Sequence, residues 1–223
     1  MGGMVQMKME WDNDIGHKPK KKPTVKGKEF ALCRTKAKQK TIINKMLARS
    51  GRRDRLAIVL DGENAQTTKE LIKSGWKKSS IYIPNFSEDY KKILRKGYNA
   101  QNISLREMLE YSEQESIGLL YADYMCSMDG NENCSPLNDI DMLFEGKKLA
   151  DGAAFGITIA LRTRITADKF FVNNAVQKVI SHITIRAFEN GYIALLTPIG
   201  GVYKNGGPMW TGIFQVVKNG LEE

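Results

Sequence analysis

Apolar and polar positions along the chain follow two rhythms. From residue 29 to 50, Phe30, Leu32, Cys33, Ala37, Thr41, Ile42, Met46 and Leu47 recur every three to four residues, which predicts a helix stopped by Gly51. Its opposite face carries Arg34, Lys36, Lys38, Lys40 and Lys45. Short apolar runs then follow at 55–60, 80–83, 100–103, 117–124 and 153–162, each read as a strand. Helix-forming stretches separate them. Thr67-Thr68-Lys69-Glu70 and Ser104-Leu105-Arg106-Glu107 fit capping boxes, Ser87 fits an N-cap, and Ser135-Pro136 fits a cap with proline in the first turn. The fourth of these helices is expected to run through Leu149 to Gly152, and Thr166 to cap a long one ending near Glu189. The last two strands, 192–203 and 209–218, have no helix between them. Asn205-Gly206-Gly207 joins them as a hairpin turn.

Seven strands result, the first five alternating with helices. That order predicts an α/β fold, a doubly wound and mostly parallel sheet with a C-terminal antiparallel hairpin. The run AAFGITIALR is apolar on both faces, as an interior strand covered by helices should be. Residues 1–28 are polar, hold Pro19, Pro23 and Gly27, and read as a basic flexible arm ahead of one domain over 29–223.

Composition narrows the classes. No apolar run approaches the roughly 18 residues of a membrane span, and the N-terminus lacks a secretory pattern. The expectation is an intracellular protein, cytoplasmic or nuclear, with no membrane partner. Three cysteines, Cys33, Cys126 and Cys134, fit a reducing compartment. Cys126 and Cys134 could pair, but two free thiols in one loop is the favoured reading. No Cys or His spacing suits a structural metal, so none is expected. Charge is placed unevenly. Residues 1–55 hold 16 Lys and Arg against 5 Asp and Glu, and the other residues hold 18 against 20. A basic block of this kind points to a polyanion, and 17–28 also matches a nuclear-import pattern.

Residues 58–66 read IVLDGENAQ, an apolar run that ends in an acid and a glycine. With seven strands, a leading helix and a closing hairpin, the chain resembles the class I S-adenosylmethionine-dependent methyltransferases over about residues 29–218. It lacks the Gly-x-Gly-x-x-Gly of a dinucleotide site. The resemblance implies S-adenosylmethionine as cofactor, held by Asp61, Gly62, Glu63 and Asn64 after the first strand. Asn64 stands where the family usually has a second glycine. It implies a ribose contact after the second strand, where this chain has Asn85 in place of an acid, with Glu88 or Asp89 one helical turn on. It implies an adenine contact at Ser104. At the end of the fourth strand it implies catalytic roles for Asp123 and Tyr124, the acid orienting or deprotonating the acceptor and the ring stacking on a base. Ribose methyltransferases of messenger-RNA caps also use an acid there, with two lysines and a glutamate. Lys45 and Lys169 are candidates for the lysines.

The basic helix face suggests the substrate. Lys45, Arg49, Arg52, Arg53 and Arg55 are expected beside the carboxyl edge of the sheet, tracking phosphates. Phe170, Phe171 and Trp210 join Tyr124 as candidate base platforms. The leading reading is methyl transfer to nucleic acid, RNA ahead of DNA. A catalytically inactive, nucleic-acid-binding relative is the first alternative, and a nicotinamide-dependent oxidoreductase the second. The loop 125–134 reads as a mobile lid.

Overall fold

The structure, a computed structural model, describes residues 34–130, 134–161, 169–198, 201–205 and 207–220, with backbone alone at 34–39, 169–173, 204–205 and 207–208. The basic arm, the start of the first helix, Thr166 and Gly206 lie outside the described residues.

The elements run α1 (Arg34–Ser50), β1 (Leu56–Val59), α2 (Gln66–Lys73), β2 (Ile81–Pro84), α3 (Asp89–Arg95), β3 (Ala100–Gln101), α4 (Leu105–Tyr111), β4 (Ile117–Asp123), α5 (Pro136–Glu145), β5 (Leu149–Ala160), α6 (Lys169–Glu189), β6 (Tyr192–Leu196), β7 (Gly201–Asn205) and β8 (Gly207–Lys218). They build one eight-stranded sheet ordered β3-β2-β1-β4-β5-β8-β6, with β7 also on β8. Pairings from β3 to β5 are parallel, and every pairing of β8 is antiparallel. This is the expected doubly wound sheet with its closing hairpin.

Strand count differs from expectation by one. The stretch 192–203 is two strands, because Pro198 has no N–H to continue a ladder. β6 pairs with 214–218 of β8 and β7 with 207–211, so both flank the same side of one long strand. The fourth predicted helix is also shorter than expected. α5 stops at Glu145, Lys147 takes a left-handed turn at φ 47°, and Leu149 already pairs beside Ile117 in the sheet. Gly152, at φ 73°, bends β5 and does not end a helix.

Residues alternate between two buried cores. Leu119 and Tyr121 face Ile43, Leu47 and Leu71 on the side of α1 and α2. Leu120, Ala122 and Tyr124 face Ile140, Leu143 and Ile183 on the side of α5 and α6. Helix α1 approaches closely because Gly156 has no side chain. A Cβ there would lie 2.7 Å from Leu47 Cδ2 and 2.9 Å from the Tyr121 ring.

Candidate active site

The carboxyl ends of β1, β2 and β4 converge at one edge of the sheet, where α/β folds bind ligands. Asp61, after β1, is 4% exposed. Its carboxylate accepts hydrogen bonds from the amides of Thr67 (3.2 Å) and Thr68 (2.7 Å) and from Thr68 Oγ1 (2.8 Å). Asp61 therefore caps α2, and the predicted Thr67–Glu70 capping box is not formed. A charged acceptor six residues upstream reaches the free amides and complements the helix dipole. The loop turns at Ala65, in the left-handed region at φ 49°. Backbone N–H groups of Gly62 and Glu63 donate no hydrogen bond among the described residues. Glu63 itself pairs with Lys92 at 2.8 Å, and Asn64 is exposed.

The β2 and β3 ends are internally occupied. Asn85 donates to the Asp61 carbonyl (3.0 Å) and accepts from Ser87 N and Oγ. Glu88 and Asp89 pair with Lys91 and Lys92 on the same short helix. Ser104 forms the expected capping box, with Glu107 N donating to its hydroxyl at 3.0 Å and its own amide donating to the Glu107 carboxylate at 2.7 Å.

At the end of β4, Asp123 and Tyr124 point to opposite faces. Tyr124 donates its hydroxyl to Asp139 Oδ2 at 2.7 Å under α5, in the second core, and the structure does not bring it beside Asp123. Burial and then the Asp139 charge push its phenol well above the ordinary value. Asp123 instead faces α1. Lys40 Nζ donates to Asp123 Oδ2 at 2.5 Å, and both side chains are 8% exposed. Burial works against the Lys40 charge, but Asp123 and then Asp61 outweigh it and hold the ammonium above its ordinary value. Asp123 Oδ1 is buried and has no hydrogen-bond partner among the described residues.

Lys40 corrects the expected helix orientation. The apolar periodicity predicts it on the exposed basic face, yet Lys40, Ile43, Asn44 and Leu47 form the buried face, while Thr41 and Ile42 are exposed. Lys45 lies on the exposed side, one helical turn from the pair, and the side chain of Lys169 lies outside the described residues. A hydroxyl row completes the surroundings. Asp123, Thr158 and Thr211 are lateral partners on β4, β5 and β8. Thr158 Oγ1 bonds Tyr121 OH (3.0 Å) and Thr211 Oγ1 (2.8 Å), all buried. Sequence reasoning missed this row, since threonine and tyrosine inside apolar strands carry no distinctive spacing.

The predicted phosphate-binding arginines sit elsewhere. Arg52 N donates to the Gly118 carbonyl and Leu56 N to the Ser116 carbonyl, so Arg52, Arg53 and Arg55 lie at the amino edge of the sheet. Gly118 and Asp123 are about 16 Å apart along the strand. The expected position beside the carboxyl edge is thus reversed, because α1 runs down across the sheet from Lys40 to Ser50. Arg52 pairs with Asp54 and donates to the Asp151 carbonyl. Trp210 is a core residue, and the side chains of Phe170 and Phe171 lie outside the described residues. In the loop after β4, Cys126 and Cys134 are joined as a disulfide, against the two free thiols expected. Residues 131–133 of that loop lie outside the described residues.

No protein-family model and no curated protein matches the sequence. Solved structures do match. An rRNA methylase from Streptococcus thermophilus aligns with a TM-score of 0.50 at 15% identity, covering 81% of this chain and 97% of that one. M. jannaschii TYW2, in complex with AdoMet, aligns with a TM-score of 0.50 at 15% identity over 81% of this chain and 76% of its own. The N-methyltransferase NodS from Bradyrhizobium japonicum WM9 aligns with a TM-score of 0.50 at 10% identity, over 82% and 97%.

The chain has the class I methyltransferase fold. Within that fold, the acid-glycine loop of β1 and the Lys40–Asp123 pair of β4 share the carboxyl edge of the sheet. No described helix is long and apolar enough to cross a membrane.

Proposed function

We propose that the protein is an S-adenosylmethionine-dependent methyltransferase acting on nucleic acid, RNA ahead of DNA. The observation that carries this reading is the buried Lys40–Asp123 pair at the carboxyl edge of a class I methyltransferase fold. Two charges withdrawn from water rarely add stability over well-packed apolar residues, so their position at the carboxyl edge supports a functional role for the pair. The free amides of Gly62 and Glu63 fit a bound carboxylate or hydroxyl, which supports cofactor binding at the same edge. The cofactor supplies an activated sulfonium methyl group.

The protein's part is to hold the acceptor in line, exclude water and handle one proton. Held at the β1 loop by the Gly62 and Glu63 amides, the cofactor would supply its methyl group to the acceptor's lone pair and leave as S-adenosylhomocysteine. Asp123 Oδ1, buried and without a hydrogen-bond partner among the described residues, takes the acceptor's proton. Lys40, charged at neutral pH, disfavours a protonated amine and steadies negative charge developing on oxygen. A ribose hydroxyl is therefore the acceptor this pair suits best. The pair stands beside Tyr121 and Thr158, not a second lysine and a glutamate, among the described residues.

A second reading has its own support. The side chains of Asn85 and Ser104 are spent on internal bonds, which favours an inactive relative that only binds nucleic acid. Calorimetric titration of S-adenosylhomocysteine separates the two. Micromolar binding, followed by transfer of labelled methyl to RNA that is lost in Asp123→Asn, supports the enzyme. No binding at millimolar ligand by folded protein supports the inactive relative.

A further inference from the structure

Charge in the folded part is segregated. Residues 66–100 hold 8 Lys and Arg against 3 Asp and Glu, while residues 101–223 hold 10 against 15. The sheet flank built by α2, β2, α3 and β3 is thus strongly basic, although the chain after residue 55 is close to neutral. Two of its three acids are paired, Glu88 with Lys91 and Asp89 with Lys92, and only Glu70 has no cationic partner among the described residues. Arg53, Lys73, Lys77, Lys78 and Arg95 are exposed and have no acidic partner among the described residues.

These cations lie along one flank of the sheet. They begin at the amino edge, where a methyl on Gly75 would lie 3.5 Å from Arg53 Nη1. Lys77 and Lys78 follow Gly75 in the chain. Lys78 Nζ lies 5.1 Å from the Tyr98 ring centroid and 3.0 Å from a methyl placed on Gly97. Lys96, next to Gly97, donates to the Glu63 carbonyl at 2.6 Å, in the loop after β1. These cations therefore climb the flank from the amino edge to the candidate cofactor crevice. A row of exposed cations that starts unpaired at the amino edge and continues through Lys96 to the β1 loop fits a chain of evenly spaced anions, and a phosphodiester backbone has that form.

We propose that this flank is a docking track for a single-stranded RNA, which grips the phosphate backbone and leads the strand to the carboxyl edge. The choice of RNA rests on the proposed function; the track itself does not depend on methyl transfer. The face shares only Arg53 with the expected one, since its other cations come from α2, α3 and the segments around Lys78 and Lys96, not from α1.

The test is fluorescence anisotropy of a short labelled single-stranded RNA with the full chain, over a series of salt concentrations and without cofactor. Lys73→Gln/Lys77→Gln/Lys78→Gln removes the track's middle. Lys147→Gln/Lys178→Gln/Lys218→Gln removes equal charge elsewhere on the surface. The track variant should bind at least about tenfold more weakly and lose about 2 to 3 from the salt slope, because each phosphate contact releases roughly one counterion. The control variant should bind like the parent. Unchanged binding by the track variant, or an equal loss in the control, overturns the proposal, and equally tight binding of a DNA of the same sequence overturns the choice of RNA. Thermal melting verifies that both variants fold. S-adenosylhomocysteine titration is read separately: track-dependent RNA binding without cofactor binding would leave the track standing and the methyl-transfer reading fallen.

Discussion

Lys40 Nζ lies 2.5 Å from Asp123 Oδ2 inside the protein, joining the first helix to the end of the fourth strand. Removing one partner leaves the other charge buried and alone. Lys40→Met should cost about 3–5 kcal/mol of stability, whereas Lys40→Met/Asp123→Leu should return most of it. Urea unfolding of both variants measures this. A double variant as unstable as the single one would show that the pair itself is not the source. Methyl transfer, by contrast, should stay lost in the double variant however well it folds.

The same pair shows where the sequence was legible. Apolar runs and glycine stops place most helices and strands, because those signals are local and additive, but they miss the break at Pro198 and the early start of β5 at Leu149. Helix α1 is rotated from its expected orientation, since the apolar pattern puts Thr41 and Ile42 in the core and Lys40 on the surface. Only the tertiary partner Asp123, 83 residues away, makes burial of that lysine tolerable. Its spacing from Ile43, Asn44 and Leu47 held the clue: those four positions make one helical face. The β1 loop has Asn64 where the family usually has a second glycine. Its turn is nonetheless made, at Ala65 in the left-handed region, with Asp61 holding the first turn of α2. Glycine content alone was a poor guide to that backbone.

Asp139 gives a pH dependence with a definite sign. Burial raises its carboxyl above the ordinary 3.8, against the pull of Tyr124 and Arg106. Between the unfolded and folded values, the native state holds a proton that the unfolded chain has lost. Stability contributed by this group is therefore full below 3.8 and falls as pH rises through the folded value. Asp139→Asn keeps an acceptor for Tyr124 and removes the titration. Urea unfolding from acid to neutral pH should show a less negative slope above pH 3.8 in the variant, and no loss of stability at neutral pH. A slope equal to that of the parent would sink the assignment.

The Cys126–Cys134 bridge is directly countable. Denatured, unreduced protein treated with a thiol alkylator should take one label, at Cys33, and three after reduction. Closing so short a loop should contribute about 2–3 kcal/mol, lost in Cys126→Ser/Cys134→Ser. Three labels without reductant would show that the thiols are free.

Asp61 carries two roles that one substitution cannot separate. It holds α2 through the Thr67 and Thr68 amides, and it stands at the entrance of the proposed cofactor site. Asp61→Ala removes both, with about 1–2 kcal/mol lost from the cap. Thr68→Val keeps the acid and its amide bonds but deletes the Thr68 Oγ1 donor, 2.8 Å from Asp61 Oδ2. That change leaves the loop backbone held and should cost about 1 kcal/mol. If the amides of Gly62 and Glu63 bind the ligand and Asp61 only shapes the loop, Thr68→Val should weaken S-adenosylhomocysteine binding slightly and Asp61→Ala severely. Asp61→Asn decides the matter, because its amide oxygen can still accept one helix N–H while its charge is gone. Near-parent affinity in Asp61→Asn assigns Asp61 a shaping role. Affinity as poor as in Asp61→Ala, with the fold intact by circular dichroism, means the charge itself is needed at the ligand.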